Sequence, residues 1–291
     1  MHPIYKTIFI LSLSLVVCSV IVLGLYGLKF GIDFTGGSII ELEFENQRPD
    51  LPKIQITLVD DGEVSINNFG DKGLIIKTKD LSEQEHQELI KKLKDNFGAD
   101  NVDEKRFESV GPVIGQELKR KSIIAIVLVL FSIAIYIAFV FRKLARTLSP
   151  WTMSVAAIVA LAHDVIIPLG IFSLLGRFAG IEVTGIFVAA VLTILGFSVS
   201  DTVVIFDRVR ENVIKSSKDG FAQIVHRSVM QTLVRSLNTT MTVLLSLIAI
   251  FFFGGESIKY FSLMLIIGIF LGAYSSIFVA SPLLVWLRKQ G

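Results

Sequence analysis

The residue of this sequence most open to a chemical reading is Asp201. It sits in the stretch Gly196–Asn212, GFSVSDTVVIFDRVREN, at the end of an apolar run that begins near Val183. The run has the length and character of a membrane-spanning helix. An ionised carboxylate at the centre of such a helix costs roughly 2.5 kcal/mol or more, so the group must face other helices or water. Asp207-Arg208-Val209-Arg210-Glu211 follows within six residues and must lie in water or headgroups. At ~1.5 Å of rise per residue, Asp201 lies roughly 9 Å inside that charged edge. The chemistry available to a carboxylate at this depth is reversible protonation. The competing reading is an interfacial Asp that caps or solvates a helix end.

Other polar side chains interrupt apolar runs. His163 and Asp164 are adjacent near the middle of the third run. Neighbours on a helix diverge by about 100°, so the pair cannot face one groove squarely. A buried hydrogen-bonded lock and a proton relay both remain open for it. Arg235, at the start of the fifth run, is expected at about the depth of Asp201, because the fourth and fifth runs join on one side. A cation there favours the ionised acid while burial favours the neutral one, which is what a switchable proton site needs. The alternative for Arg235 is snorkelling to the headgroups. Gly196 with Ser200, and Gly268, Gly272 and Ser276, recur at four-residue steps and read as close helix-packing faces.

The elements that must position these groups are membrane helices. Hydrophobic residues make up 52% of the 291, with a mean hydropathy of +0.67. That composition excludes an ordinary soluble domain. A net charge of +2 gives no case for nucleic acid. Cys18 is the single cysteine and lies in the first apolar run, so no internal disulfide is available. Six spans are expected, at about 7–28, 122–141, 152–175, 183–206, 232–253 and 260–286, with domains 1–28, 29–121 and 122–291. The first is too long for a signal-peptide core, so no separate cleavable signal is expected. Arg142, Lys143 and Arg146, then Arg208, Arg210, Lys215, Lys218 and Arg227, then Arg288 and Lys289 all fall on the side of Lys6. The positive-inside rule therefore predicts cytoplasmic termini and an exported loop at 29–121. Residues 207–231 read as an amphipathic cytoplasmic loop lying along the membrane surface.

The exported segment reads as a small α+β domain. After Asp33-Phe34-Thr35-Gly36-Gly37, Ser38–Glu45 alternates apolar and acidic residues as a half-buried strand. Pro49 and Pro52 break the chain and leave a poorly defined crossover. Glu63–Asn67 and Gly73–Thr78 are two short strands, Ser82 opens a helix of about 82–97 with Glu85 at the capping-box position, and Val102–Val110 is a last strand. The order suggests a ferredoxin-like sandwich with its first helix shortened or lost. No cluster has metal-ligand spacing and no nucleophile stands by a base, so the domain reads as a binding or moving part that calls for no cofactor.

The motifs together resemble the SecD/SecF family of bacterial protein-export membrane proteins, on its SecF side. The resemblance covers essentially the whole chain. It rests on Asp33–Gly37, on Gly111-Pro112 through Gly115, on His163-Asp164-Val165, on Asp201–Asn212 and on Ser275–Ser281. Pro49–Asp60 departs from the pattern, where the family carries a clearer helix. The resemblance implies half of an RND-type transporter in the bacterial inner membrane, paired as a heterodimer with SecD and associated with the SecYEG channel. It implies use of the proton-motive force to draw preproteins out on the periplasmic side. It also implies proton transfer at a span-four Asp and a span-five Arg, which map to Asp201 and Arg235, with His163 and Asp164 as further candidates for the route. The rival classes are an RND-type half-exporter of small molecules or lipids, and a passive scaffold of the translocon. A scaffold gains nothing from a carboxylate at the depth of Asp201.

Overall fold

The computed structural model describes residues 3–58, 64–142, 149–215 and 219–288. Asp60, Glu63, Lys143, Arg146, Lys218 and Lys289, invoked above, lie outside them. The chain divides into two compact units, one formed by Met1–Lys29 with Ile123–Gly291 and the other by Phe30–Ser122.

In the smaller unit a four-residue helical turn, α2 (Ile32–Thr35), leads into β1 (Gly37–Phe44). Then come α3 (Leu51–Thr57), β2 (Ser65–Phe69), β3 (Gly73–Thr78), α4 (Glu83–Phe97) and β4 (Val102–Val110). The strands form one antiparallel sheet in the order β2-β3-β1-β4. With its two crossover helices this is a ferredoxin-like βαββαβ arrangement. The alternation in β1 buries Ile40, Leu42 and Phe44 against Ile54, Leu58, Leu89, Ile90 and Leu93. The opposite face carries ion pairs such as Lys105–Glu43 at 3.1 Å and Arg106–Glu41 at 3.5 Å.

Two expectations are corrected here. Pro52 does not break the crossover, because it stands in the first turn of α3, where its missing N–H has no intrahelical partner to lose. The second strand runs on to Phe69 rather than ending at Asn67, since pairing with β3 across the Gly70 turn puts Phe69 opposite Gly73.

Among the described residues six helices are long and apolar enough to cross a membrane. They are α1 (Pro3–Tyr26), α5 (Pro112–Val140), α6 (Pro150–Ala179), α7 (Gly185–Lys215), α8 (Phe221–Phe253) and a last span in three parts. Its parts are α9 (Glu256–Ser275), a π-helical segment Ser276–Ala280 and α10 (Ser281–Arg288). α6, α7 and the last span carry most of the buried residues of the bundle, whereas few residues of α1 and α5 are buried. The end of α1 is tied down: Ser173 Oγ donates to the Gly27 carbonyl, and Val183 N donates to the Lys29 carbonyl at 2.7 Å.

The surface loop expected at 207–231 is absent from the described part of that region. α7 runs on through its charged edge to Lys215, and α8 begins at Phe221 as a helix of 33 residues. Phe221, Val225 and Val229 pack into the cluster that holds Ile205, Phe206, Val209, Leu284 and Val285. That apolar stripe is satisfied by helices rather than by lipid. Asn212 Nδ2 locks the hairpin by donating to Ser228 Oγ at 2.8 Å and to Gln231 Oε1 at 2.9 Å.

Candidate functional site

Three helices meet at Asp164. The carboxylate is fully buried. Its Oδ1 lies 2.8 Å from Nδ1 of the adjacent His163, also on α6. Its Oδ2 accepts hydrogen bonds from Ser198 of α7 at 2.6 Å and Ser275 of α9 at 2.7 Å. The divergence of 100° does not keep the pair apart, because the His163 ring folds back along the helix onto its neighbour. The ring also stacks on Tyr274, whose hydroxyl lies 2.9 Å from Ser12 Oγ of α1. His163 Nε2 is buried with no hydrogen-bond partner among the described residues. Pro168 lacks the N–H that would close the helix onto the Asp164 carbonyl.

Asp201 stands three residues beyond Ser198 on α7, in different company. It is 8% exposed, and Thr240 Oγ1 reaches its Oδ2 at 3.5 Å, the outer limit of hydrogen bonding. Ser236 Oγ, one turn before Thr240 on α8, is buried beside the same carboxyl and makes no hydrogen bond of good geometry among the described residues. The next residue of α7, Thr202, turns to α9 instead and lies 2.8 Å from Ser276 Oγ. One acid is therefore saturated with partners, and the other is enclosed but scarcely bonded.

Arg235 is exposed and forms no ion pair with Asp201 among the described residues, although it lies near enough for its charge to bear on that carboxyl. Ser236 and Thr240 occupy the α8 face toward Asp201, and Arg235 is turned about 100° away from it. Gly196 and Ser200 are exposed, and a Cβ built on Gly196 meets nothing within 4 Å, so among the described residues no helix packs closely on this face. The close approach runs along the other ladder. Gly268 faces Ile194, and a Cβ on Gly272 would lie 2.9 Å from that of Ser198. Ser276 continues the ladder to Thr202.

Ser198, Thr202, Ser236, Thr240, Tyr274 and Ser275 were not singled out by chemistry in the sequence. Single hydroxyls in apolar runs are common. A signal did exist: Ser198 precedes Asp201 by three residues, and Ser275-Ser276 sits beside Gly272 on the small-residue ladder.

Asp33–Gly37 lies in the smaller unit. Thr35 Oγ1 donates to the Gly31 carbonyl at 3.1 Å and closes the turn. Gly36 has φ 78° and ψ 164°, a region open essentially to glycine alone. A Cβ there would lie 2.7 Å from Pro112 Cα, and one on Gly115 would lie 3.0 Å from Gly36 N. Asp33–Gly37 and Gly111–Gly115 are thus two halves of one backbone junction at the start of α5. Phe34 is buried in it.

Two family models match the chain. "Protein export membrane protein SecD/SecF, C-terminal" covers residues 89–290, and "SecD/SecF GG Motif" covers 21–47. The protein translocase subunit SecF of Thermobaculum terrenum is 43% identical, over 97% of this chain and 92% of its own length. Its counterpart in Synechocystis is 38% identical, over 98% and 92%. The crystal structure of SecDF, a translocon-associated membrane protein from Thermus thermophilus, superposes with a TM-score of 0.82 at 34% identity, over 98% of this chain. The chain spans 38% of the length of that solved protein. A structure of SecDF in a super-membrane-facing form matches at 0.70 and 32%.

Proposed function

The chain belongs to the SecD/SecF family of protein-export membrane proteins, and we propose from that premise that it is the SecF-type subunit of a proton-driven export machine. In this reading it pairs with SecD in the bacterial inner membrane and works beside the SecYEG channel. Both termini face the cytoplasm, and the 30–122 domain handles preprotein on the periplasmic side. The clustering of Arg208, Arg210, Lys215, Arg227 and Arg288 at the end that bears Lys6 supports the orientation.

One observation carries the mechanism: the contrast between the two membrane aspartates. Asp164 has three partners and so holds α6, α7 and α9 together. Asp201 is enclosed with one long contact from Thr240. A carboxylate so placed changes its protonation state without first breaking a network. In its ionised form it calls for donors, and Ser236 Oγ and the Thr240 hydroxyl are at hand on α8. In its neutral form it needs neither. Loading and release of a proton thus favour two arrangements of α7 against α8. Arg235 is the countercharge on the adjoining face of α8, positioned to favour the ionised form when that helix turns. His163, with its unbonded Nε2, is the point at which a proton reaches the network from the rest of the bundle. The rearrangement passes to the 30–122 domain through the spans that tether it.

The experiment is export of a secreted protein in cells or inverted vesicles, with and without an uncoupler, at fixed ATP. Asp201→Asn keeps size and polarity but cannot release a proton. It is expected to assemble normally and to lose the gradient-dependent part of export, and Arg235→Met is expected to behave alike. If Asp201→Asn assembles and its export still falls on uncoupling as far as wild type's does, the proton role of Asp201 is refuted.

A further inference from the structure

The last span is not one helix but two helices joined by a π turn, and this turn falls at the polar seam. Ser275 and Ser276 are consecutive, fully buried, and bonded to different helices. Ser275 Oγ donates to Asp164 of α6, and Ser276 Oγ meets Thr202 of α7 at 2.8 Å. The π segment Ser276–Ala280 starts there and holds one residue more per turn than an α-helix needs. Ser281 Oγ closes it by donating to the Ser276 carbonyl, five residues back, at 2.7 Å.

The flanks of the turn are unlike the turn itself. Below it α10 is anchored by fully buried Leu284, by Trp286 packed edge-on against Phe9 at 4.7 Å, and by the Arg288 guanidinium 4.4 Å above the Phe221 ring. Above it Gly268 and Gly272 present bare backbone to Ile194 and Ser198 of α7. The extra residue is therefore slack held between a fixed end and a smooth one.

We propose that this π turn is a movable joint, which shifts by one turn toward Gly272 and frees Ser275 and Ser276 from Asp164 and Thr202 in a single step. Displacing a one-residue bulge along a helix turns the residues it passes by about 100° and slides them ~1.5 Å, leaving the helix on either side in place. Both hydroxyls lose their partners together, because they ride on the same backbone segment. Ser275 is then a positioning residue: its presence or absence changes what the Asp164 carboxylate accepts. The coupling of the joint to proton movement rests on the function proposed above, whereas the joint itself rests on the π geometry.

The test locks the joint. Thr202→Cys with Ser276→Cys, in a Cys18→Ser background of the full chain with its SecD partner, allows a disulfide across the 2.8 Å contact. The expected result is loss of gradient-dependent export on oxidation and its return with reductant. Oxidised protein, with the bond verified by mass, that keeps gradient-dependent export overturns the joint. A second measurement needs no export activity. In Ser275→Cys, maleimide reactivity should rise when a proton gradient is applied across vesicles holding the complex; unchanged reactivity also overturns the proposal. Asp201→Asn run in parallel separates the two ideas. An inactive Asp201→Asn beside an active oxidised pair removes the joint and leaves the proton reading. An active Asp201→Asn removes the proton reading, and the maleimide result then decides the joint alone.

Discussion

Two aspartates in apolar spans have opposite surroundings, and substitution should separate them. Asp164→Ala takes the carboxylate partner from the His163 ring and from the Ser198 hydroxyl, and leaves Ser275 only its 3.2 Å contact with the Gly272 carbonyl. Each buried donor left unsatisfied costs about 1–3 kcal/mol. The solubilised protein is therefore expected to unfold at clearly lower temperature, whereas Asp201→Asn should leave the transition almost where it was. Equal shifts for the two variants would refute the division of roles. Gly36 gives a test of the same scale in the other unit. Its backbone conformation costs a non-glycine residue about 1–3 kcal/mol, before the clash with Pro112 is counted. Gly36→Ala should destabilise the domain strongly. Gly111→Ala, with open space around its built Cβ, should be tolerated, and a thermal melt of each distinguishes them.

The elements differ in how clearly the sequence announced them. α4 was legible to the residue, because Ser82 and Glu85 form a reciprocal capping box and Gly98 follows the last turn. Its cap should be measurable: Ser82→Ala is expected to cost about 1 kcal/mol, read as faster amide exchange in the first turn of α4 in the full chain. The Ser82 N–H and then its hydroxyl hold the Glu85 carboxyl below the usual 4.5. A lowered carboxylate contributes its stability in full above the unfolded value and loses it as pH falls through the folded one. The first turn of α4 should thus loosen only below about pH 4.5, a window absent in Glu85→Gln. β1 was legible for a similar reason, since a period of two admits one buried face. The α7–α8 hairpin was not. A stripe of Phe221, Val225 and Val229 looks the same whether it meets lipid or α10. The π turn was illegible too, because no residue type marks it. Asp164 could be read as buried, but its partners Ser198 and Ser275 come from helices whose rotation a linear pattern does not set.

At the scale of the molecule, six spans put both termini on one side. Single cysteines in a Cys18→Ser chain test which side. Asp60→Cys and Ser257→Cys should react with an impermeant reagent outside intact cells, and Arg146→Cys and Lys218→Cys should not; labelling at Lys218→Cys contradicts the orientation. Gly196 and Ser200 on α7, and Arg235, Asn238, Thr239 and Thr242 on α8, are exposed on this chain. Co-purification from native membranes is therefore expected to bring a second six-span chain, and a stable, active lone subunit would contradict the heterodimer.

That exposed row on α8 bears on the life of the subunit before assembly. α8 has the lowest mean hydropathy of the six spans, 1.8 against 2.9 for α1 and 3.1 for α5. A newly made chain can release its first two spans into lipid unaided, but α8 resides there uneasily until another surface covers Arg235 and its neighbours. On the heterodimer reading proposed above, an orphan copy would advertise its own incompleteness through the same residues that a partner would cover.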